Sequence, residues 1–252
     1  VTVSLQNTSL TDSLCEALRQ QIISGELAPG QKLSEAWVAS YFAVARPTAK
    51  AGLDRLTNEG LLRRGRRQTA VVPQMSAADV TDIYFAREPI ESRAVRTLAE
   101  RSYVPPAADR ALALMGVAAQ LNQHSEHTGA DINLHRALVA ATASVRLQRM
   151  HETVMGEAQL CIAQVRRHVG LDLTELTASH AAILDAIRAG DPDSAVTALR
   201  SDLDVCRETL LADVAEKTAT KAGATTSSTT TGDTEDVADD TVATNGKDAS
   251  IA

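Results

Sequence analysis

The stretch Ile22-Ile23-Ser24-Gly25-Glu26-Leu27-Ala28-Pro29-Gly30-Gln31-Lys32-Leu33-Ser34-Glu35 decides how the first part of this 252-residue chain is read. Its isoleucines end an apolar run in which Leu10, Leu14, Leu18 and Ile22 recur every fourth residue, the spacing of one helical stripe. A helix is expected over about Leu10 to Ile23, stopped by Gly25. Leu27-Ala28-Pro29-Gly30 is a turn, and Ser34 stands where it can cap a short second helix that buries Trp37, Val38 and Tyr41. After Ala43-Val44, a third helix is predicted from about Arg46 to Asn58, burying Leu53 and Leu56, with Gly60 past its end. Leu61-Leu62-Arg63 and Thr69-Ala70-Val71-Val72 are two β-prone runs joined by Arg64-Gly65-Arg66-Arg67-Gln68, which is a hairpin pattern. Pro73 closes the module.

Charge adds a second layer. The chain carries a net −7, which by itself disfavours contact with nucleic acid. Between Val44 and Ala70, however, seven basic residues stand against two acidic ones, a local balance of +5. Three short helices followed by a basic hairpin form the layout of a winged helix-turn-helix, whose third helix enters the major groove while the hairpin reaches neighbouring phosphates. Arg46 and Lys50, four apart with Thr48 between them, lie at the start of the third helix, where base edges and phosphates are met. Arg64, Arg66 and Arg67 in the hairpin suit sequence-independent phosphate contacts.

The Gly25 to Glu35 turn with its Pro29-Gly30, the Arg46 to Lys50 and Leu53 to Leu56 segments, and Glu59-Gly60-Leu61-Leu62 together resemble the GntR family of bacterial regulators over about residues 8 to 73. Relatives usually carry Ser where Ala45 stands, so a helix cap is missing here.

The remainder reads as helices. Ser76 and Asp79 form a capping-box pattern opening a helix to about Arg101, with a kink expected at Pro89. Pro105-Pro106 start another. His124 to Gly129 is expected to be a loop, with helix resuming from Asp131 towards Ala143. A long helix is predicted from Arg146 to His168, a further one from about Thr174 to Ala189, closed by Gly190, and a last one capped by Asp191 and running to about Ala215. With 44 % apolar but only 2 % aromatic residues, an all-α body is expected. The fold is thus mainly α. It divides into a winged helix-turn-helix at 1–74, a helical bundle for effector binding and dimerisation at 75–216, and a Thr/Ala/Asp-rich tail at 217–252 that composition marks as disordered.

This second part is similar to the FCD domain of the FadR-like branch of the GntR family, on Arg87 and Glu91, Asp131-Ile132-Asn133-Leu134-His135, His180-Ala181-Ala182-Ile183-Leu184 and Ala198 to Leu203. The resemblance implies a divalent metal held by Asp131, His135, His180 and the residue at 202, helping to bind a small carboxylate. Asp131 and His135 at i, i+4 share a helical face, so a carboxylate oxygen and an imidazole nitrogen can take one cation. Taken alone, such a pair also suits a solvated helix surface. Asp202 replaces the usual His, which makes the set harder and more anionic, so Zn²⁺ or Ni²⁺ is preferred less strongly and Mn²⁺ tolerated better. Arg87 has two open readings, an effector contact or a salt bridge to Glu91. His124, His127, His151 and His168 are read as ordinary solvated or packed histidines.

Cys15, Cys161 and Cys206 are odd in number and widely spaced, which implies reduced thiols and the cytoplasm. No run long enough for a membrane span and no signal-peptide pattern is seen. The function implied is a non-enzymatic, homodimeric repressor of a DNA operator, tuned by an organic-acid effector. Its rivals are a metal-dependent hydrolase and a DNA-binding dimer with a silent C-terminal part.

Overall fold

A computed structural model of the chain describes residues 9–64, 69–165 and 172–227. The first helix, α1 (Leu10–Ser24), opens on a capping box in which Ser9 and Asp12 satisfy each other's amides, and it ends at Gly25 with φ 82°. Leu14, Cys15, Leu18 and Ile22 are buried, whereas Leu10 is 60 % exposed, so the apolar stripe begins one turn later than its spacing suggests. Strand β1 (Lys32–Leu33) follows the Pro29-Gly30 turn, and α2 (Glu35–Tyr41) is capped by Ser34, whose hydroxyl accepts from the Trp37 amide at 3.1 Å. Val38 is buried as expected. Tyr41 is not: it is exposed and stacks on Trp37 with ring centroids 4.8 Å apart, an arrangement its phenol can hold with one face in water.

Helix α3 (Arg46–Asn58) packs on α1 through Ala49, Gly52, Leu53 and Leu56. The approach is close at Gly52, where a Cβ would lie 3.0 Å from Leu14 Cδ2. Strands β2 (Arg63–Arg64) and β3 (Ala70–Val71) form the anticipated antiparallel hairpin. The sheet has a third member, since β1 also pairs with β3 and gives the order β1-β3-β2. Gly30, at φ +84°, donates its amide to Val72 O at 2.8 Å and so ties the turn to the returning strand.

The second half consists of α4 (Ala77–Ala99), α5 (Pro106–Gln120), α6 (His124–Ala140), α7 (Val145–Val165), α8 (Leu173–Ala189) and α9 (Pro192–Ser227). The Ser76–Asp79 capping box is formed, and α4 runs on through Pro89. Two expectations are corrected. His124 to Gly129 is not a loop but the start of α6, because Gln123 O accepts the His127 amide and the His127 ring is buried against the Thr177 hydroxyl at 3.1 Å. The stretch from Lys217 is helical as far as Ser227, because a helix already nucleated upstream is extended at little further cost even by a segment rich in Thr. The rest of the proposed tail, 228–252, lies outside the described residues.

Among the described residues, those up to Glu216 form one compact unit. The larger of two apolar clusters among them runs from Leu14 through Leu61, Leu62 and Met75 to Leu160, Leu184 and Leu199, and the smaller joins Ile90, Ala94 and Val139. The linker at 73–75 is clasped by one side chain of α7, as Gln164 donates to Pro73 O at 2.7 Å and accepts from the Met75 amide at 3.0 Å.

Candidate DNA interface and buried histidine centre

On α3, Arg46, Lys50 and Asp54 succeed one another at i+4 steps and share no position with the buried stripe. Arg46 and Lys50 are exposed, and neither has an ion-pair partner among the described residues. Thr48 is half-buried in the first turn. The bonding of the helix starts with Ala49 N donating to Ala45 O, which leaves the Arg46 and Thr48 amides outside the ladder at its positive end. Ala45 supplies no side-chain cap.

The other cations of the basic stretch are committed differently. Arg64 forms an ion pair with Asp54, which draws the root of the hairpin onto the α3 face that carries Lys50 and Arg46. Arg55 pairs with Asp12 and Glu59, and Arg63 with Asp79 at 2.8 Å. Arg66 and Arg67 lie outside the described residues.

The second half brings Asp131, His135, His180 and Asp202 together, all under 10 % exposed. His135 Nε2 and His180 Nε2 are 3.2 Å apart. Asp131 Oδ1 lies 3.0 Å from the latter and 3.3 Å from the former. These three donor atoms make a nearly equilateral triangle. Asp202 stands at its border, with Oδ2 3.7 Å from His135 Nε2 and Oδ1 accepting the Ser179 hydroxyl at 2.7 Å. It is not part of the trio whose donors all fall within 4.8 Å of one another.

The far side of each imidazole is fixed. His180 Nδ1 donates to Leu176 O at 2.7 Å, and His135 Nδ1 faces Glu91 Oε2 at 2.6 Å. Both Nε2 atoms therefore face the triangle. Glu91 is the hub behind it, taking Arg87 Nε at 2.7 Å and His151 Nε2 at 3.1 Å. Arg87, 3 % exposed, adopts the salt-bridge reading and lies over the Tyr84 ring at 4.9 Å. His151 and Glu91, each 1 % exposed, belong to the centre although sequence reasoning did not place them there. Their only local signal is the i, i+4 spacing of Arg87 and Glu91.

Burial opposes charge on His135, yet the Glu91 carboxylate and the hydrogen bonds to Asp131 and Glu91 overcome it and push its pKa up to about 10. His180 is raised as well: burial works against it, while Asp202 and Asp131 outweigh burial. Burial would raise Asp131, but hydrogen bonds from His135 and His180 hold it well below the usual carboxylate range. For Glu91, Arg87 and His135 similarly overcome burial. With carboxylates ionised and imidazoles neutral, Arg87, Glu91, Asp131 and Asp202 sum to a formal −2 in a closed interior. Such a charge demands protons or a cation.

Comparison with known proteins agrees with both halves. Residues 10–72 match the bacterial regulatory proteins of the gntR family, and residues 82–205 match the FCD domain. The chain is 27 % identical to the HTH-type transcriptional repressor NanR of Enterobacter sp. (strain 638), over 79 % of this chain and 85 % of that one. It is 25 % identical to the gluconate operon transcriptional repressor of Bacillus subtilis (strain 168), over 74 % and 79 %. Among solved structures, a putative GntR transcriptional regulator from Rhodococcus sp. RHA1 is 26 % identical with a TM-score of 0.68, covering 81 % of this chain and 99 % of its own. E. coli McbR/YncC has the same fold, with a TM-score of 0.68 at 19 % identity over 80 % and 97 %. These domains and relatives are regulators rather than enzymes, which sets aside the hydrolase reading. With a winged helix-turn-helix ahead of an FCD-type helical body, the chain belongs to the GntR family of bacterial transcriptional regulators.

Proposed function

We propose that this regulator is a cytoplasmic repressor that binds a two-fold operator as a homodimer and loses affinity for it when a small carboxylate metabolite enters the body beside a divalent metal. The observation that carries the metal-dependent part is the triangle of donors at 3.0, 3.2 and 3.3 Å. Bonds of about 2.0–2.1 Å to a tetrahedral Zn²⁺ place neighbouring ligand atoms about 3.3 Å apart. Asp131, His135 and His180 therefore fit Zn²⁺, Ni²⁺ or Mn²⁺, with Asp202 nearest as a further oxygen donor, and a 2+ charge offsets the formal −2. The Glu91 and Leu176 contacts orient the two imidazoles. A bound cation would supply an electrophilic anchor for a carboxylate. Arg87 would reach that carboxylate only by sharing its guanidinium with Glu91.

On the DNA side, Arg46 and Thr48 are assigned to base edges and Lys50, Arg64, Arg66 and Arg67 to phosphates. A homodimer is supported by the uncharged stripe Leu114, Val117 and Leu121 at the C-terminal part of α5, each more than half exposed, which a second copy would cover.

Metal analysis of protein purified without chelator or a nickel resin, followed by a thermal-shift panel of sugar acids, hydroxy acids and dicarboxylates, tests the sensor. About one metal per chain and a shift with at least one acid class are expected. A metal-free protein with a flat panel would leave a DNA-binding dimer whose body senses nothing. Mobility shift on the region upstream of its own gene tests the DNA reading, and no retardation at low salt would refute it.

A further inference from the structure

We propose that α7 is the coupling element between the buried centre and the recognition helix α3, with His151 as the positioning residue at one end and Thr153 and Gly156 at the other. The proposal rests on the reading of the centre as the regulatory site. At the inner end, His151 donates to Glu91 Oε1 at 3.1 Å, and the other oxygen of the same carboxylate stands 2.6 Å from His135 Nδ1. Two contacts thus join a member of the donor triangle to a side chain of α7. Any change in the tilt of His135 is felt first at Glu91 and then at His151.

The outer end lies about 7.5 Å along the same helix axis, five residues at 1.5 Å each. Here α7 meets Asn58, the last residue of α3, and the Glu59-Gly60 turn just beyond it at close range. Thr153 donates its hydroxyl to Asn58 O at 3.2 Å. A Cβ on Gly156 would fall 1.8 Å from Glu59 O and 3.0 Å from Glu59 C, so nothing larger than glycine fits against that backbone. On the facing side Gly60, at φ +78°, would place a Cβ 2.9 Å from Thr153 O and 2.5 Å from Glu157 Cγ. Glu59 is further held by Arg19 at 2.6 Å and Arg55 at 3.0 Å. A close-packed contact of this kind transmits a displacement instead of absorbing it. A small shift of α7 must therefore move the end of α3, and with it Arg46 and Lys50 at the other terminus.

The test uses the full chain, Zn²⁺ alone as probe, and a duplex selected by the wild type from a random pool. Operator affinity is measured with and without saturating Zn²⁺, and Zn²⁺ affinity is measured separately by calorimetry. In the wild type the ratio of the two operator affinities should lie within the roughly 5–150-fold range of allosteric couplings. Gly156→Ala and Thr153→Val should keep Zn²⁺ affinity within about threefold while the ratio falls towards one, Gly156→Ala the more strongly. His151→Leu should also collapse the ratio. His151→Gln keeps an N–H donor near Glu91 and should restore most of it, which a merely space-filling role would not do. If Gly156→Ala does not fold, Thr153→Val and the His151 pair carry the test. A full wild-type ratio in folded His151→Leu and Thr153→Val proteins overturns the coupling alone. A wild type whose operator affinity ignores bound Zn²⁺ likewise overturns the coupling, whereas a wild type that binds no Zn²⁺ overturns the metal reading of the centre and this proposal with it.

Discussion

Arg46 and Arg87 are the same residue type in two opposite settings. Arg46 projects into water at the start of α3, where its charge is available to whatever approaches, whereas Arg87 is 3 % exposed and committed to Glu91. The first contributes little to stability, and on the proposed reading its charge is there for binding. The second is part of a buried network whose members must all be present, since removal of one leaves its partner charged and dry. The contrast extends beyond these two residues: the α3 end presents its charge to water, whereas the histidine centre encloses it.

The sharpest way to break this contrast is Glu91→Ala. It strands the buried guanidinium of Arg87 and should cost about 3–5 kcal/mol in urea denaturation; a loss below about 1 kcal/mol would mean that the centre is wetter than its burial implies. The next effect is on pH. His135 must lose its proton before Nε2 can ligate, and its pKa near 10 keeps that proton in place at neutrality. Zn²⁺ affinity, measured by calorimetry, should therefore rise by about one log unit per pH unit between pH 7 and 9. Linkage gives the metal-free protein the opposite trend at the alkaline side. The raised His135 adds stability that is complete below its ordinary 6.5 and lost as pH climbs through about 10. The depressed Glu91 and Asp131 add stability present above their ordinary 4.5 and 3.8 and lost as pH falls. Thermal melts should accordingly weaken towards both extremes.

At the exposed end, Arg46→Ala should cost about 1–3 kcal/mol of operator binding and leave the denaturation midpoint almost unmoved. Lys50→Gln should lower the slope of log affinity against log salt by about 0.9, without changing base preference. A stability loss as large as the binding loss in either variant would erase the distinction between the two regions. Smallest of all, Ala45→Ser supplies the missing cap of α3 and should raise stability by about 0.5–2 kcal/mol, read from the same denaturation curves.

The α3 region was legible because its signals are local. The Leu14-Leu18-Ile22 stripe, the Pro29-Gly30 turn, Ser34 and the paired β-runs each act within a few residues, and each appears where its spacing put it. Strand β1 escaped because two residues carry no periodicity; only pairing with Val71 and Ala70 makes Lys32-Leu33 a strand. In the histidine centre, the i, i+4 pair Asp131 and His135 could be picked out, as could His180 through family likeness. Glu91 and His151 could not, because their burial is decided by residues 60 positions apart meeting from α4 and α7. His127 was hidden in the same way by Thr177, 50 positions away. Polar residues advertise their type in a sequence, but not the neighbours that enclose them.

The Gln164 amide that grips Pro73 and Met75 bears on how such a regulator can respond in time. A free tether would let the reading head swing through a continuum of angles. A tether pinned at two points, each worth about 1 kcal/mol net, must be unfastened before the head can reorient. The head should then occupy a few discrete poses rather than drift among many, and an effector would act by shifting the share of molecules in each.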